Sequence, residues 1–434
     1  MTTTLNVADR RRATLERQQR RRPHGRPAQA TRRTARVADR RPDRVGPAAR
    51  IRALLGTDAT PPTADRRALG PPPGTFYVIA AVVSVFVMFG LVMVLSASAV
   101  TQANIGNSPY AVFSRQALWA GLGLAGMIVA TRVPYTVWKP LSIPLGLLGV
   151  AAMCSPFVPG LGVTINGARS WVRIGSLSVQ PSEFLKVVAV IAAADLLTRR
   201  AGDLHDHRRT LLPVAVLAGA VATMSLVQGD LGSAVVLGAI VLSVAWVAGV
   251  PLIPLSMLTT AAAMTAIGFV MSSPRRLSRF TAFLNIEAHK DLESYQVWQG
   301  MVSMANGGLT GSGIGGSRGK LGYLPYAHSD FIFAIIVDEL GMIGTAAVIG
   351  GFIVLVAFGI QTALAAPDRF GMLLAGGISA WFGVQAIVNL GGVTGVLPVT
   401  GLTLPFFSAG GTSLFVSMFA AGLLLSVARR AVRH

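Results

Sequence analysis

Tyr323-Leu-Pro-Tyr-Ala-His328-Ser-Asp330-Phe-Ile-Phe333 joins a polar, glycine-rich stretch to the long apolar run 331–361. A carboxylate and an imidazole two residues apart, at the mouth of a segment long enough to cross a bilayer, are costly to keep there. Ionisable groups in such places are usually retained for function. The apolar run itself makes the chain a membrane protein, and the rest of the sequence agrees. Of its 434 residues 52% are hydrophobic and only 13% charged, with a mean hydropathy of +0.58, which excludes an ordinary soluble domain.

Ten apolar runs divide the chain at about 75–100, 112–131, 136–158, 181–198, 211–228, 232–249, 252–272, 331–361, 371–393 and 411–428. Each approaches the ~20 residues that a helix rising about 1.5 Å per residue needs to span the hydrocarbon core. The expected fold is therefore an all-α polytopic bundle of about ten transmembrane helices, residues 75–434, behind a basic tail, 1–74. The net charge is +20, and residues 1–75 hold eighteen arginines against six acids, more than half of the excess. That tail is Arg-, Pro- and Ala-rich and poor in aromatics, so it is expected to be disordered, either lying on anionic lipid headgroups or solvated with its charge fixing orientation alone. It is not a cleavable signal peptide, because no apolar segment follows closely on a short charged start. Without interleaved aromatics it is not expected to bind nucleic acid. The single cysteine, Cys154, excludes a disulfide within the chain.

Ten spans put both termini on one side. The tail, Arg199/Arg200, Arg208/Arg209 and Arg429/Arg430/Arg433 fall together there, and positive charge marks that side as cytoplasmic. Two long loops are then extracytoplasmic, 159–180 and 273–330. The second carries Arg275, Arg276, Arg279, Lys290, Arg318 and Lys320, basic against the trend, as expected of a surface that meets an anion. Its Gly311-x-Gly313-x-x-Gly316 matches a dinucleotide fingerprint in form only, since no βαβ unit surrounds it, and Leu321 after Lys320 excludes a P-loop. A backbone open to close approach by a ligand is the better reading.

Asp330 is the candidate general base, its pKa open to elevation by partial desolvation, and it also suits a helix N-cap. His328 could orient it or contact phosphate. Arg169 and Trp171 stand in the other outer loop, Arg169 as a bidentate phosphate donor and Trp171 also as a plausible interfacial anchor. Glu183 and Lys186, three apart after Pro181, can pair on one helix face. Asp230, Glu339, Gln385 and Asn389 lie in or beside spans and should face the bundle interior, the last two bonding between helices.

These segments resemble the SEDS proteins of shape, elongation, division and sporulation, nearest to their division-associated branch. The resemblance rests on Met93-Val-Leu-Ser96-Ala-Ser98, Asn166-Gly-Ala-Arg169-Ser-Trp171, Gln180-Pro-Ser-Glu183, Gln228-Gly-Asp230-Leu-Gly232, Tyr295-Gln296, His328-Ser-Asp330-Phe with Asp338-Glu339-Leu-Gly341, and Leu397-Pro-Val-Thr400-Gly401-Leu-Thr-Leu-Pro. It covers 75–434. It implies a ten-helix peptidoglycan glycosyltransferase that polymerises lipid II outside the cytoplasmic membrane, with Asp330 catalytic. Arg169, Trp171, Arg279, Lys320, His328 and Gln296 would meet substrate, while Glu183, Lys186, Asp230, Glu339, Gln385, Asn389 and Thr400 would hold the structure. A class B penicillin-binding transpeptidase and other divisome membrane proteins are the implied partners at the septum. No dedicated metal-ligand cluster is visible, though a divalent cation could share the charge of the pyrophosphate. The sequence departs from the family at Gly229, where many members carry Pro, at Asp338, where Glu is common, and at Thr400, where some division members carry Lys. The other functional class compatible with buried charges is a lipid II flippase.

Overall fold

The computed structural model describes residues 73–431 apart from Asn166 and Ser176. The basic tail expected over 1–74 lies outside the described residues except at Pro73 and Gly74. Each of the ten apolar runs is a helix: α1 (Gly74–Asn104), α2 (Ala111–Arg132), α3 (Ser142–Cys154), α4 (Pro181–Arg199), α5 (Leu212–Val227), α6 (Leu231–Val247), α7 (Leu252–Met271), α10 (Ile332–Leu364), α11 (Arg369–Val393) and α12 (Gly411–Ala428). Two further helices, α8 (Pro274–Leu284) and α9 (Tyr295–Gly307), lie in the long loop 273–330. Among the described residues, seven helices are long and apolar enough to cross a membrane. Helix α3 with its following turn and α6 are shorter apolar helices, and α4 carries Glu183, Lys186, Asp195 and Arg199 within its length.

The chain is helical as expected, with one addition in a loop. Loop 159–180 is a three-stranded antiparallel sheet, β1 (Gly162–Ile165), β2 (Ala168–Ile174) and β3 (Leu177–Val179), in the order β1-β2-β3. Its strands are rich in β-branched residues, and Gly167 supplies the positive φ of 84° that the tight β1–β2 turn demands. Val163 pairs with Trp171, and Val172 with Val179. Such short strands leave no mark on a hydropathy profile.

Helices α11 and α12 form the buried centre. Helix α2 packs along α12, α10 along α11, and α6 against α11 and α5. Close approach depends on small residues, as is usual where lipid surrounds a bundle. A Cβ at Gly422 of α12 would lie 2.5 Å from the Met127 carbonyl of α2, so glycine is required there. Helix α7 stands at the edge and is almost wholly exposed.

The connections gather at two ends. At one, Arg369 donates to the Ala248 carbonyl (2.8 Å), Ser426 to the Val133 carbonyl (2.7 Å), and Arg430 lies over the Tyr135 ring. At the other, the β-sheet, the turn at 228–230, loop 273–330 and loop 394–410 meet. There Arg169 N–H donates to the Gln228 carbonyl, Gln180 to Asp230, and Ala409 N–H to the His328 carbonyl. All the expected substrate-contacting residues belong to this second end.

Candidate active site

The chain reaches Asp330 through Tyr326, whose φ of 54° is unusual for a residue with a side chain. Such left-handed positions cost roughly 1–3 kcal/mol and cluster at functional sites. Ser329 N–H donates to the Tyr326 carbonyl (3.0 Å), closing the turn. Gln296 of α9 donates to the Pro325 carbonyl (3.1 Å) and ties the same segment to the outer helix. Asp330 is not the cap of α10. Phe331 takes that position, and no side chain caps the helix. The carboxylate is thus released from a structural duty that the sequence alone allowed.

Asp330 is held instead by its neighbours. Asn389 of α11 donates through Nδ2 to the Asp330 carbonyl (2.9 Å) and to the Leu402 carbonyl (2.7 Å), so one amide joins the aspartate to loop 394–410. Asp330, Phe331, Val388, Asn389, Thr400 and Gly401 line a narrow crevice. Ser329 Oγ donates to Asp330 Oδ1 at 2.6 Å. Burial nevertheless pushes the Asp330 carboxyl above the usual carboxylate range, against the opposing pull of Ser329 and of His328. Burial pushes His328 the other way, below its ordinary value, with Asp330 resisting. A half-buried carboxylate of raised basicity beside an imidazole suits proton abstraction from a hydroxyl.

The expectation for Lys320 is corrected. Its ammonium is buried and donates to Glu339 Oε1 (2.9 Å) and to Ser96 Oγ (3.1 Å) of α1. Ser96 also donates to Glu339. The charge is neutralised by the Glu339 carboxylate inside the bundle and is withdrawn from the surface where a substrate would meet it. Asp338, next along α10, accepts from Ser303 (2.8 Å) of α9 and from Ser317 (2.6 Å). The glycine-rich loop is corrected as well. It approaches the backbone of α10, where Gly341 (φ 61°, ψ −151°) interrupts the helix. Ser312 and Gly313 N–H donate to the freed carbonyls of Asp338 and Glu339, and a Cβ at Gly311 would lie 2.1 Å from the Glu339 carbonyl. The glycines admit a helix backbone where the sequence suggested a ligand.

Beneath the site runs a polar network. Lys186 donates to Glu183 (2.8 Å), the expected pair, and to Gln385 Oε1 (3.1 Å) of α11. Gln385 donates in turn to the Thr403 carbonyl (2.8 Å) and accepts from Trp381 (2.7 Å). Gln385 and Asn389 thus reach beyond neighbouring helices to support loop 394–410. Asp230 caps α6 through Ser233 N–H (2.9 Å) and accepts from Gln180 (3.1 Å).

Arg169, Trp171 and Arg173 alternate along β2 and so share one face, while Ser170 and Val172 of the other face are buried. The Arg169 guanidinium lies 5.9 Å from the Phe157 ring centroid. Arg275 of α8 comes within 3.1 Å of where a Gly167 Cβ would stand, bringing a further cation to the β1–β2 turn. Arg279, four residues on and exposed, shares its helical face. Arg275 is one of the cations of the basic loop expected to meet an anion, and the structure brings it to the β1–β2 turn. Arg173 has no role assigned from the sequence, although strand alternation from Arg169 was an available signal.

The sequence from residue 76 to 433 matches the family described as cell cycle proteins, which groups FtsW, RodA and SpoVE. The chain belongs to this family. A probable peptidoglycan glycosyltransferase FtsW of Coxiella burnetii is 39% identical over 342 residues, covering 78% of this chain and 92% of the relative. A protein of the same description from Mycobacterium bovis is 36% identical over 361 residues, covering 83% of this chain and 69% of its own length. Among solved structures, the chain is similar to one from a study of how a peptidoglycan synthase complex coordinates polymerization and crosslinking. The TM-score is 0.66 at 28% identity, with 81% of this chain and 97% of that one covered.

In this FtsW/RodA/SpoVE family protein the expected site residues fall into two groups. Asp330, Asn389 and Thr400 line the crevice, while His328 and the Pro325 carbonyl held by Gln296 belong to the segment that leads into it. Arg169, Trp171 and Asp230 belong to the adjoining sheet and its support. Among the described residues, no three His, Cys, Asp or Glu side chains come together as a metal site would require.

Proposed function

We propose that this chain is a peptidoglycan glycosyltransferase that polymerises lipid II at the outer face of the bacterial cytoplasmic membrane during division. The observation that carries the reading is Asp330, a half-buried carboxylate of raised pKa, unattached to the helix it precedes and facing a crevice. The family, and relatives described as peptidoglycan glycosyltransferases, supply the reaction class.

In the reaction, the 4-hydroxyl of the acceptor GlcNAc gives its proton to Asp330. The freed oxygen forms a bond to C1 of the donor MurNAc with inversion. The bond from C1 to the pyrophosphate oxygen breaks, and the lipid pyrophosphate leaves with its electron pair. Positive charge at the departing oxygens stabilises the transition state, and Arg169 and Arg173 on the sheet, with Arg275 at its β1–β2 turn, are exposed cations available for it. His328 holds Asp330 oriented and tempers its pKa. The likeness to a polymerising and crosslinking complex supports a class B transpeptidase as partner.

The rival activity is lipid II transport. The protein in detergent micelles, given lipid II and its transpeptidase partner, is expected to make long glycan chains, because the chemistry needs no second leaflet. Proteoliposomes are expected to show no faster passage of lipid II between leaflets. Rapid passage with no polymer would replace the enzyme with a transporter.

A further inference from the structure

Between α3 and α5 lies an open groove of about 580 Å³ lined almost entirely by apolar groups, among them Met153, Cys154, Phe157, Gly219, Thr223 and Val227. It extends from Val216 to Val227 along α5, about 16 Å at the rise of an α-helix. One end is capped by charge. Phe157 lines the groove, and the guanidinium of exposed Arg169 lies over its ring. Gln228 fixes this arrangement. Its side-chain amide donates to the Met153 carbonyl (2.7 Å), while its backbone carbonyl accepts from Arg169 N–H (2.8 Å). The end of α3, the end of α5 and the cationic strand are therefore clamped together. Arg173 stands on the same face of β2 as Arg169.

An apolar channel that ends beneath Arg169, with Arg173 further along the same strand face, is complementary to an amphiphile with a long hydrocarbon chain and a multiply charged phosphate head. We infer that this groove holds the polyprenyl chain of a lipid-linked pyrophosphate, with Arg169 and Arg173 on the pyrophosphate, an assignment that rests on the glycosyltransferase reading. A phospholipid fits less well, because its single phosphodiester gives two arginines only one negative charge to share.

Cys154 is the only cysteine in the chain, lines the groove and is exposed, so the natural protein carries its own reporter. In nanodiscs, undecaprenyl pyrophosphate at ten times its Kd is expected to slow modification of Cys154 by N-ethylmaleimide about tenfold. Undecaprenol and phosphatidylglycerol at the same concentration should slow it less than twofold. Arg169→Ala should require several-fold more undecaprenyl pyrophosphate for the same protection. A photoactivatable polyprenyl pyrophosphate should crosslink within 153–157 and 216–227. Open space surrounds both Gly219 and Gly268, the second on α7 away from the groove. Gly219→Trp should therefore lower polymerisation tenfold or more, and Gly268→Trp leave it within twofold. Equal protection by phosphatidylglycerol, or unimpaired polymerisation by a sample showing neither protection nor crosslinking in the groove, would overturn the assignment while leaving the enzyme intact. Specific protection in a protein that never polymerises would overturn the enzyme and leave the groove.

Discussion

Asp330 and Lys320 illustrate opposite fates of a charge in the same loop. Asp330 is half-buried, and desolvation raises its pKa, so the form competent as a base is lost as pH falls through a value above the usual carboxylate range. The acid limb of polymerisation should lie there, and a pH profile of kcat/KM will find it. His328 lowers the Asp330 pKa, so His328→Gln should move that limb to higher pH. A limb at the ordinary carboxylate value, unmoved by the substitution, would remove Asp330 as the titrating base. Lys320 is paired with Glu339 inside the bundle. Lys320→Met leaves Glu339 uncompensated and should cost about 3–5 kcal/mol. Adding Glu339→Gln should recover part of the loss, as thermal unfolding in detergent will report. Asp330 was legible because a carboxylate at the edge of an apolar run stands out. The pairing of Lys320 was not, because Ser96 comes to it from a distant span and the fold of the intervening loop decides that it reaches Glu339.

At the scale of elements, the apolar periods located every long helix, and charge placed their ends. The sheet of 162–179 and helices α8 and α9 were hidden, since short amphipathic elements barely change a hydropathy average. The break in α10 was hidden too. Gly341 reads as one more residue of an apolar run, and only the packed loop shows what it admits. Gly311 is the matching requirement. At φ 79°, and with a Cβ only 2.1 Å from the Glu339 carbonyl, it tolerates no side chain. Gly311→Ala should reduce both Tm and polymerisation sharply. Gly238→Ala, in open space on α6, should reduce neither. Equal tolerance at the two positions would show that the loop does not depend on this contact.

Across the whole molecule, function separates by end. The crevice, the sheet and the groove's charged mouth share one end, while Arg199, bridged to Asp195 at 2.8 Å, belongs to the opposite end of α4. Arg169→Ala should therefore depress lipid II turnover at least tenfold, about the loss of one charge-assisted contact. Arg199→Ala should stay within about twofold, as expected for a partly exposed pair. Equal losses would contradict the division of the bundle into a catalytic and a supporting end.

The central claim is that Asp330 takes the acceptor proton. Its most direct test is glycan length and yield from labelled lipid II, with purified Asp330→Asn protein and its transpeptidase partner in detergent. The substitution keeps the shape and hydrogen-bonding capacity of the side chain but removes its basicity. Polymer formation should fall by about 10²–10⁴-fold, the usual contribution of a general base, while the protein stays folded and bound to its partner. Glycan chains of wild-type length at wild-type rate from that variant would contradict the account.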